Sequence, residues 1–155
     1  MSDVTMVLTD APSEAAQRVI TEGLDDYNAA QAGYRDWRPL AVLVHEEDER
    51  VVGGMLGRTS LGLLFVNLVY LPEGVRSRRI GSEMLRMIEE EAVRRGCRSG
   101  ILMTISFQAP GFYERHGWRE LGRVECEPVG THRIVMTKSF VAAQRSRVAR
   151  ECEHA

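Results

Sequence analysis

The chain of 155 residues is 44% hydrophobic and carries a formal net charge of -2, which suits one soluble domain able to bury a full core without disulfide or metal staples. That weakly acidic balance argues against a general nucleic-acid binder; with no apolar run near the roughly 20 residues of a membrane span and no signal-peptide pattern, the expectation is a cytoplasmic protein with no membrane contact. Cys97, Cys126 and Cys152 are odd in number and form no C-x-x-C pair, so free thiols are expected, with neither a disulfide framework nor a zinc site.

Val4 to Thr9 has the β-branched content of a short strand. Asp10-Ala11-Pro12-Ser13 then supplies capping side chains and a proline suited to a first helical turn. In the helix that follows, Ala15, Val19, Ile20, Leu24 and Tyr27 share one face and Glu14, Arg18, Glu22 and Asp26 the other. From Asn28 to Pro39 the periodicity fades into a loop or short second helix with aromatic anchors. Leu40 to His45 and Val51 to Thr59 read as a hairpin across a solvated acidic turn, Glu46-Glu47-Asp48-Glu49. Leu63 to Leu71 reads as a long strand apolar on both faces, as in a covered sheet, with Asn67 its one polar residue.

After the turn signal Pro72-Glu73-Gly74 comes a helix from Ile80 to Arg95, ended by Gly96. Its inner stripe is Ile80, Met84, Leu85, Ile88 and Ala92; Glu83, Arg86, Glu89, Glu90 and Arg94 fall outside it. Ile101 to Ile105 is a strand, Ala109 to His116 a short helix closed by Gly117, and Trp118 to Val124 with His132 to Thr137 a final strand pair. Residues 1–140 thus read as one domain, and residues 141–155 as a tail of frayed helix or disorder.

The stretch Val75-Arg76-Ser77-Arg78-Arg79-Ile80-Gly81-Ser82 carries the first chemical signal. A strand that turns through a Gly- and Arg-containing loop into a helix start makes an anion site, because the first N–H groups of the helix lack intrahelical partners. The segment Arg76-Ser77-Arg78-Arg79-Ile80-Gly81 resembles the acyl-CoA loop of the GNAT superfamily of N-acetyltransferases, Arg/Gln-x-x-Gly-x-Gly/Ala, with Arg79 at the place of the first glycine. Ser106-Phe107-Gln108-Ala109-Pro110-Gly111-Phe112-Tyr113-Glu114-Arg115-His116-Gly117-Trp118 resembles the superfamily's second signature, with Ser106 for Asn, Arg115 for Lys and Trp118 for Phe. The resemblance runs from Val4 to Phe140. It implies an α/β fold (α+β by some schemes) with a mixed, mostly antiparallel sheet of about six or seven strands, splayed between the fourth and fifth and flanked by about four helices.

It also implies acetyl-CoA as the cofactor and a small-molecule amine as the acceptor, attacked directly in a ternary complex. Alternatives are a peptide or protein acceptor, or an acyl-CoA-binding sensor without catalysis. A cradle of N–H groups and charge from Arg76, Ser77, Arg78, Arg79, Ile80, Gly81 and Ser82 suits the phosphates of coenzyme A. If Arg79 keeps helical angles, its N–H still points inward. By resemblance Tyr113 protonates the departing thiolate, as a hydroxyl with a pKa near 10 can; the bland alternative is a packed ring with its hydroxyl on a backbone carbonyl. Val69, Tyr70 and Leu71 should offer backbone to the thioester carbonyl, Ser106 should bond the pantetheine arm or Tyr113, and Phe112 belongs to the same cofactor wall.

The acceptor pocket is expected from Tyr27, Tyr34, Trp37, Arg58, Phe65, Asn67 and Met103, with Arg58 able to pair an acidic group. No general base is assigned: Asn67 stands where many relatives have a carboxylate, and His45, His116 and His132 read as ordinary surface histidines. A homodimer is compatible with the resemblance.

Overall fold

The computed structural model describes residues 4–76 and 79–141, in two compact units that meet in sequence between Asp36 and Trp37. The expectations for Ser77, Arg78, Cys152 and the tail from 142 onward lie outside the described residues. No helix among the described residues is long and apolar enough to cross a membrane.

The first unit is built on α1, Glu14–Ala32. Ser13 caps it by accepting the Ala16 N–H at 3.1 Å, and Gly33 closes it at φ 86°, donating its N–H to the Ala29 carbonyl at 2.9 Å. The helix runs on through Asn28 to Ala32, the first part of the stretch expected to be a loop or short second helix, because Ala29-Ala30-Gln31-Ala32 are strong helix formers that sustain it without an apolar stripe. Arg35 then folds back to ion-pair with Asp25 and Asp26. Val4 to Thr9 is not a strand. Its β-branched composition is insufficient because strands persist only when paired, and the described residues of this unit contain no strand to pair with.

The second unit is a six-stranded sheet in the order β1-β2-β3-β4-β6-β5. Its strands are β1 Trp37–His45, β2 Val51–Ser60, β3 Leu63–Tyr70, β4 Ser99–Ile105, β5 Arg119–Cys126 and β6 Thr131–Ser139. Three helices interrupt them: α2 Glu73–Arg76, α3 Ile80–Arg94 and α4 Pro110–Arg115. Every neighbouring pair is antiparallel except β3 with β4, which α3 connects. This is the mixed, mostly antiparallel sheet that the resemblance implied. Pro39 is tolerated inside β1 because that strand is an edge, bonded to β2 alone.

Met84, Leu85, Ile88 and Ala92 of α3 are buried in one cluster with Val42, Met55, Leu64, Val66, Leu102, Ile134 and Met136. Alternation then puts Phe65, Arg58 and Met103 on the opposite face of the sheet. Trp118 is 2% exposed and packs with Phe140 over Gly100, where an added Cβ would lie 2.6 Å from the indole ring. Its Nε1–H donates to Glu89 at 2.8 Å, and Lys138 donates to the other Glu89 oxygen at 2.7 Å. Glu89 is therefore not on the solvated side of α3, as the helical periodicity suggests; a buried indole N–H needs an acceptor and draws it inward.

Register between β2 and β3 slips where Leu56 faces Leu68 and Gly57 faces Val66, so Asn67 is an extra residue in β3. At the same point the ladder between β3 and β4 ends: the last pair is Val66 with Leu102, although both strands continue. This is the splay expected between the fourth and fifth strands, which are β3 and β4 once Val4 to Thr9 is discounted. It also corrects the reading of Leu63 to Leu71 as covered on both faces. Leu64 and Val66 are buried, whereas Leu68 and Tyr70 are 66% and 61% exposed.

Gly57 makes the bulge sterically possible, since a Cβ there would sit 2.2 Å from the Phe65 carbonyl oxygen. Gly57→Ala should lower unfolding stability by about 2–4 kcal/mol in denaturant titration, while Gly122→Ala, with nothing within 4 Å, stays within about 0.5 kcal/mol of the parent.

Candidate active site

The first turn of α3, the C-terminal half of β3 and the α4 region converge beside the splay. The first intrahelical bond of α3 runs from the Glu83 N–H to the Arg79 carbonyl at 3.1 Å, which leaves the N–H groups of Ile80, Gly81 and Ser82 without helical partners. Arg79 does not keep helical angles: it sits at φ 59°, ψ 14°, in the left-handed region. The glycine of the family pattern at this place thus answers a backbone requirement, which Arg79 meets at a conformational cost of about 1–2 kcal/mol. Gly81 packs on this wall, its missing Cβ 3.4 Å from the Phe112 ring and 3.7 Å from Leu71.

Two side chains brace the turn. Arg76 donates from Nε to the Leu71 carbonyl at 2.7 Å, tying α2 back to the end of β3. Ser82 Oγ hydrogen-bonds His116 Nε2 at 3.0 Å, and the His116 ring meets Phe112 edge-on at 4.8 Å. His116 is therefore a half-buried cross-brace between α3 and the end of α4, not a free surface histidine. Sequence gave no cue to this, because the two partners lie 34 residues apart.

Tyr113 is 7% exposed, with its ring edge-on to Phe112 at 5.2 Å and to Trp118 at 6.3 Å. Its backbone carbonyl accepts the N–H groups of His116 and Trp118, each at 3.0 Å. Its hydroxyl, by contrast, makes no hydrogen bond among the described residues, so the carbonyl-bound alternative is not what the structure contains; no fully enclosed side-chain oxygen of the described residues lacks a partner, so that hydroxyl is not sealed from solvent. Burial pushes its pKa above the ordinary value near 10.

Ser106 lies at the end of β4 and is exposed; its hydroxyl accepts the His132 N–H at 3.1 Å, extending the β4–β6 ladder by one residue. The sequence reading passed over Gln108, whose side-chain oxygen accepts the Ile105 N–H at 3.1 Å and the Thr104 hydroxyl at 3.3 Å, fixing the loop that leads into α4. Only its place within the second signature could have singled it out.

On the sheet face away from α3, Arg58 lies over the Phe65 ring, 4.2 Å from its centroid, and donates from Nη1 to Asn67 Oδ1 at 3.1 Å. Met103 follows on β4, 57% exposed, beyond the last ladder pair. Trp37 shares this face at the start of β1, opposite Ser60 and two residues from Pro39, the partner of Arg58. Val69 and Tyr70 end β3 past the bulge, where β4 no longer pairs with it, and Leu71 follows directly. Tyr27 and Tyr34 belong to the first unit, and the other pocket candidates to the second. Among the described residues, no group of three or more His, Cys, Asp or Glu side chains could hold a metal ion.

Comparison with known proteins decides the class. Residues 8–118 match the profile of the acetyltransferase (GNAT) family. The chain belongs to that family. It is 36% identical over 119 residues to an acetyltransferase of Agrobacterium fabrum, covering 77% of this chain and 87% of that one. It is 31% identical over 107 residues to the blasticidin-S acetyltransferase of Streptomyces morookaense, covering 66% and 79%. A crystal structure of a candidate acetyltransferase from Agrobacterium tumefaciens superposes with a TM-score of 0.80 at 34% identity, over 88% of this chain and all of that one (100%). This GNAT chain is accordingly an N-acetyltransferase. The matched region takes in the α3 start and the segment from Ser106 to Trp118, so both signatures lie inside it.

Because Arg79 occupies a glycine conformation, Arg79→Gly should raise stability by about 0.5–1 kcal/mol, and Arg79→Ala should not. Equal stability of all three proteins in urea titration would show that the left-handed backbone there carries no strain.

Proposed function

We propose that this GNAT enzyme transfers the acetyl group of acetyl-CoA to a primary amine of a small molecule, both being bound before transfer. The observation that carries the reading is the Tyr113 hydroxyl, unpaired on a buried ring that packs edge-on against Phe112, the neighbour of Gly81. A structural tyrosine buried to this extent ordinarily finds an acceptor for its O–H. Support for a small amine comes from the likeness to the blasticidin-S acetyltransferase.

The residues present fit acetyl-CoA. Unpaired N–H groups at Ile80, Gly81 and Ser82 with the positive end of the 15-residue α3 suit a pyrophosphate, and Arg76 and Arg79 add charge beside them. Ser77 and Arg78 complete this cradle in the proposal. Val69, Tyr70 and Leu71 offer backbone at the unpaired end of β3, and Phe112 packs against Gly81 beside Leu71. Ser106 keeps its own O–H proton free to donate, since its oxygen is what meets His132. The cofactor supplies an activated acetyl thioester. Tyr113 holds a proton at its hydroxyl for the departing thiolate, and the raised pKa keeps that proton in place through neutral and mildly alkaline pH. Residues 1–140 form the acyltransferase domain in this reading, acting in the cytoplasm.

Asn67 favours a second reading, an acyl-CoA sensor, because an amide cannot accept a proton from the amine. Thiol release measured over a panel of amines separates the two: coenzyme A binding without turnover supports the sensor.

Tyr113→Phe should leave acetyl-CoA affinity within about twofold and lower kcat by roughly a hundredfold or more. Since burial raises the Tyr113 pKa, the parent enzyme should lose no activity through this group below about pH 10. An unchanged kcat in the variant would make the tyrosine structural.

A further inference from the structure

The face of the sheet away from α3 has an unusual charge pattern. The register places Pro39, Arg58 and Phe65 side by side on β1, β2 and β3, and Ile101, Thr137 and Arg119 in the same row on β4, β6 and β5. Two residues along, Met103 stands beside Val135, and beyond them Ile105 beside Arg133. Followed through all six strands, the paired positions on this face include no Asp or Glu. The charged positions are Arg58, Arg119 and Arg133, and none of the three has a carboxylate partner among the described residues.

Arg58 is the one of these nearest the splay, and it is held for use. The Phe65 ring supports one flat side of the guanidinium, and Asn67, the bulged residue, accepts from Nη1. A guanidinium has five N–H donors, so the single bond to Asn67 leaves most of its fork free, on a side chain that is half-buried and already oriented. Neither support neutralises it. The natural complement of an oriented, uncompensated guanidinium is an oxyanion gripped by two parallel N–H bonds.

Resting on the acetyl-transfer reading above, we propose that the acceptor is a small amine carrying an oxyanion, and that Arg58 binds that oxyanion at the acceptor side of the splay. The α3 turn and Phe112 lie toward the helical face, and Arg58 lies on the other. The two substrates therefore meet through the gap beyond Val66 and Leu102, cofactor from one face and acceptor from the other. Arg119 and Arg133 contribute a positive field over the same face.

The test uses the full chain saturated with coenzyme A and matched pairs of amines that differ only in charge: glycine, β-alanine and γ-aminobutyrate, each against its methyl ester. 2-Aminoethylphosphonate forms a separate phosphorus arm. Binding is measured by isothermal titration, turnover by thiol release with acetyl-CoA. At least one acid should bind roughly ten- to a hundredfold tighter than its ester. In Arg58→Gln that ratio should fall to near one with coenzyme A affinity unchanged, and Arg58→Lys should restore part of it. If the phosphonate alone shows the effect, the oxyanion is a phosphorus one and the proposal stands. Esters bound as well as acids, no binding of any anionic amine, or a ratio that survives in Arg58→Gln would each overturn it. A merely structural Arg58 would weaken acids and esters equally and lower the unfolding midpoint. Failure of the acetyl-transfer reading shows itself separately, as absence of coenzyme A binding to the parent protein.

Discussion

The bulge that inserts Asn67 opposite the Leu56–Gly57 step is the constraint from which the site follows. A parallel pair of central strands would ordinarily satisfy its backbone groups along its whole length. Here β3 turns away from β4 after four paired residues, and the backbone of its second half is left with one bonded edge instead of two. The strands cannot separate completely, because Leu64, Val66 and Leu102 are locked under Met84, Leu85 and Ile88. A buried core below the bulge and unpaired strands above it leave a slot between β3 and β4. Such a slot can admit an extended ligand arm without unfolding anything.

The Tyr113 side of that slot depends on an element too short to stand alone. With six residues, α4 has too few backbone bonds to offset helix nucleation. It persists because its neighbours grip it: Pro110 sets its first turn, Trp118 donates its backbone N–H to the Tyr113 carbonyl, and the Trp118 indole is pinned by Glu89, itself held by Lys138. Charge, indole and helix thus form one chain of contacts from α3 to Tyr113. It packs the tyrosine ring against Phe112 and Trp118 and leaves the hydroxyl without a partner among the described residues.

Those parts of the fold were legible in sequence that depend on local period and turn chemistry. The 3.6-residue stripe from Met84 to Ala92, the Gly96 stop and the strand pair around Gly130 need only neighbouring residues to specify them. The two signatures located the α3 turn and Tyr113 for the same reason, as short contiguous patterns. What could not be read depends on partners far along the chain. Glu89 looks like a solvent residue until Trp118 arrives from 29 positions away, and His116 meets Ser82 across 34. Arg79 is a different case: nothing in a run of arginines announces a left-handed backbone, and only the family's preference for glycine pointed to it. The length of α1 was missed because its last turn rests on alanine propensity, which leaves no amphipathic trace.

Asn67 and Arg58 acquire their meaning together. A carboxylate at position 67 would lie within hydrogen-bond reach of the Arg58 guanidinium, where the amide oxygen now sits at 3.1 Å, and would form an ion pair with it. That pair would consume the positive charge and hold the carboxylate in its ionised form, a poor proton acceptor. An amide orients the guanidinium through the same oxygen position while leaving its charge intact. A site cannot place an effective carboxylate base and an available arginine at this one spot. Asparagine resolves the conflict in favour of the arginine, so the bulge residue that opens the sheet also preserves the charge beside the opening.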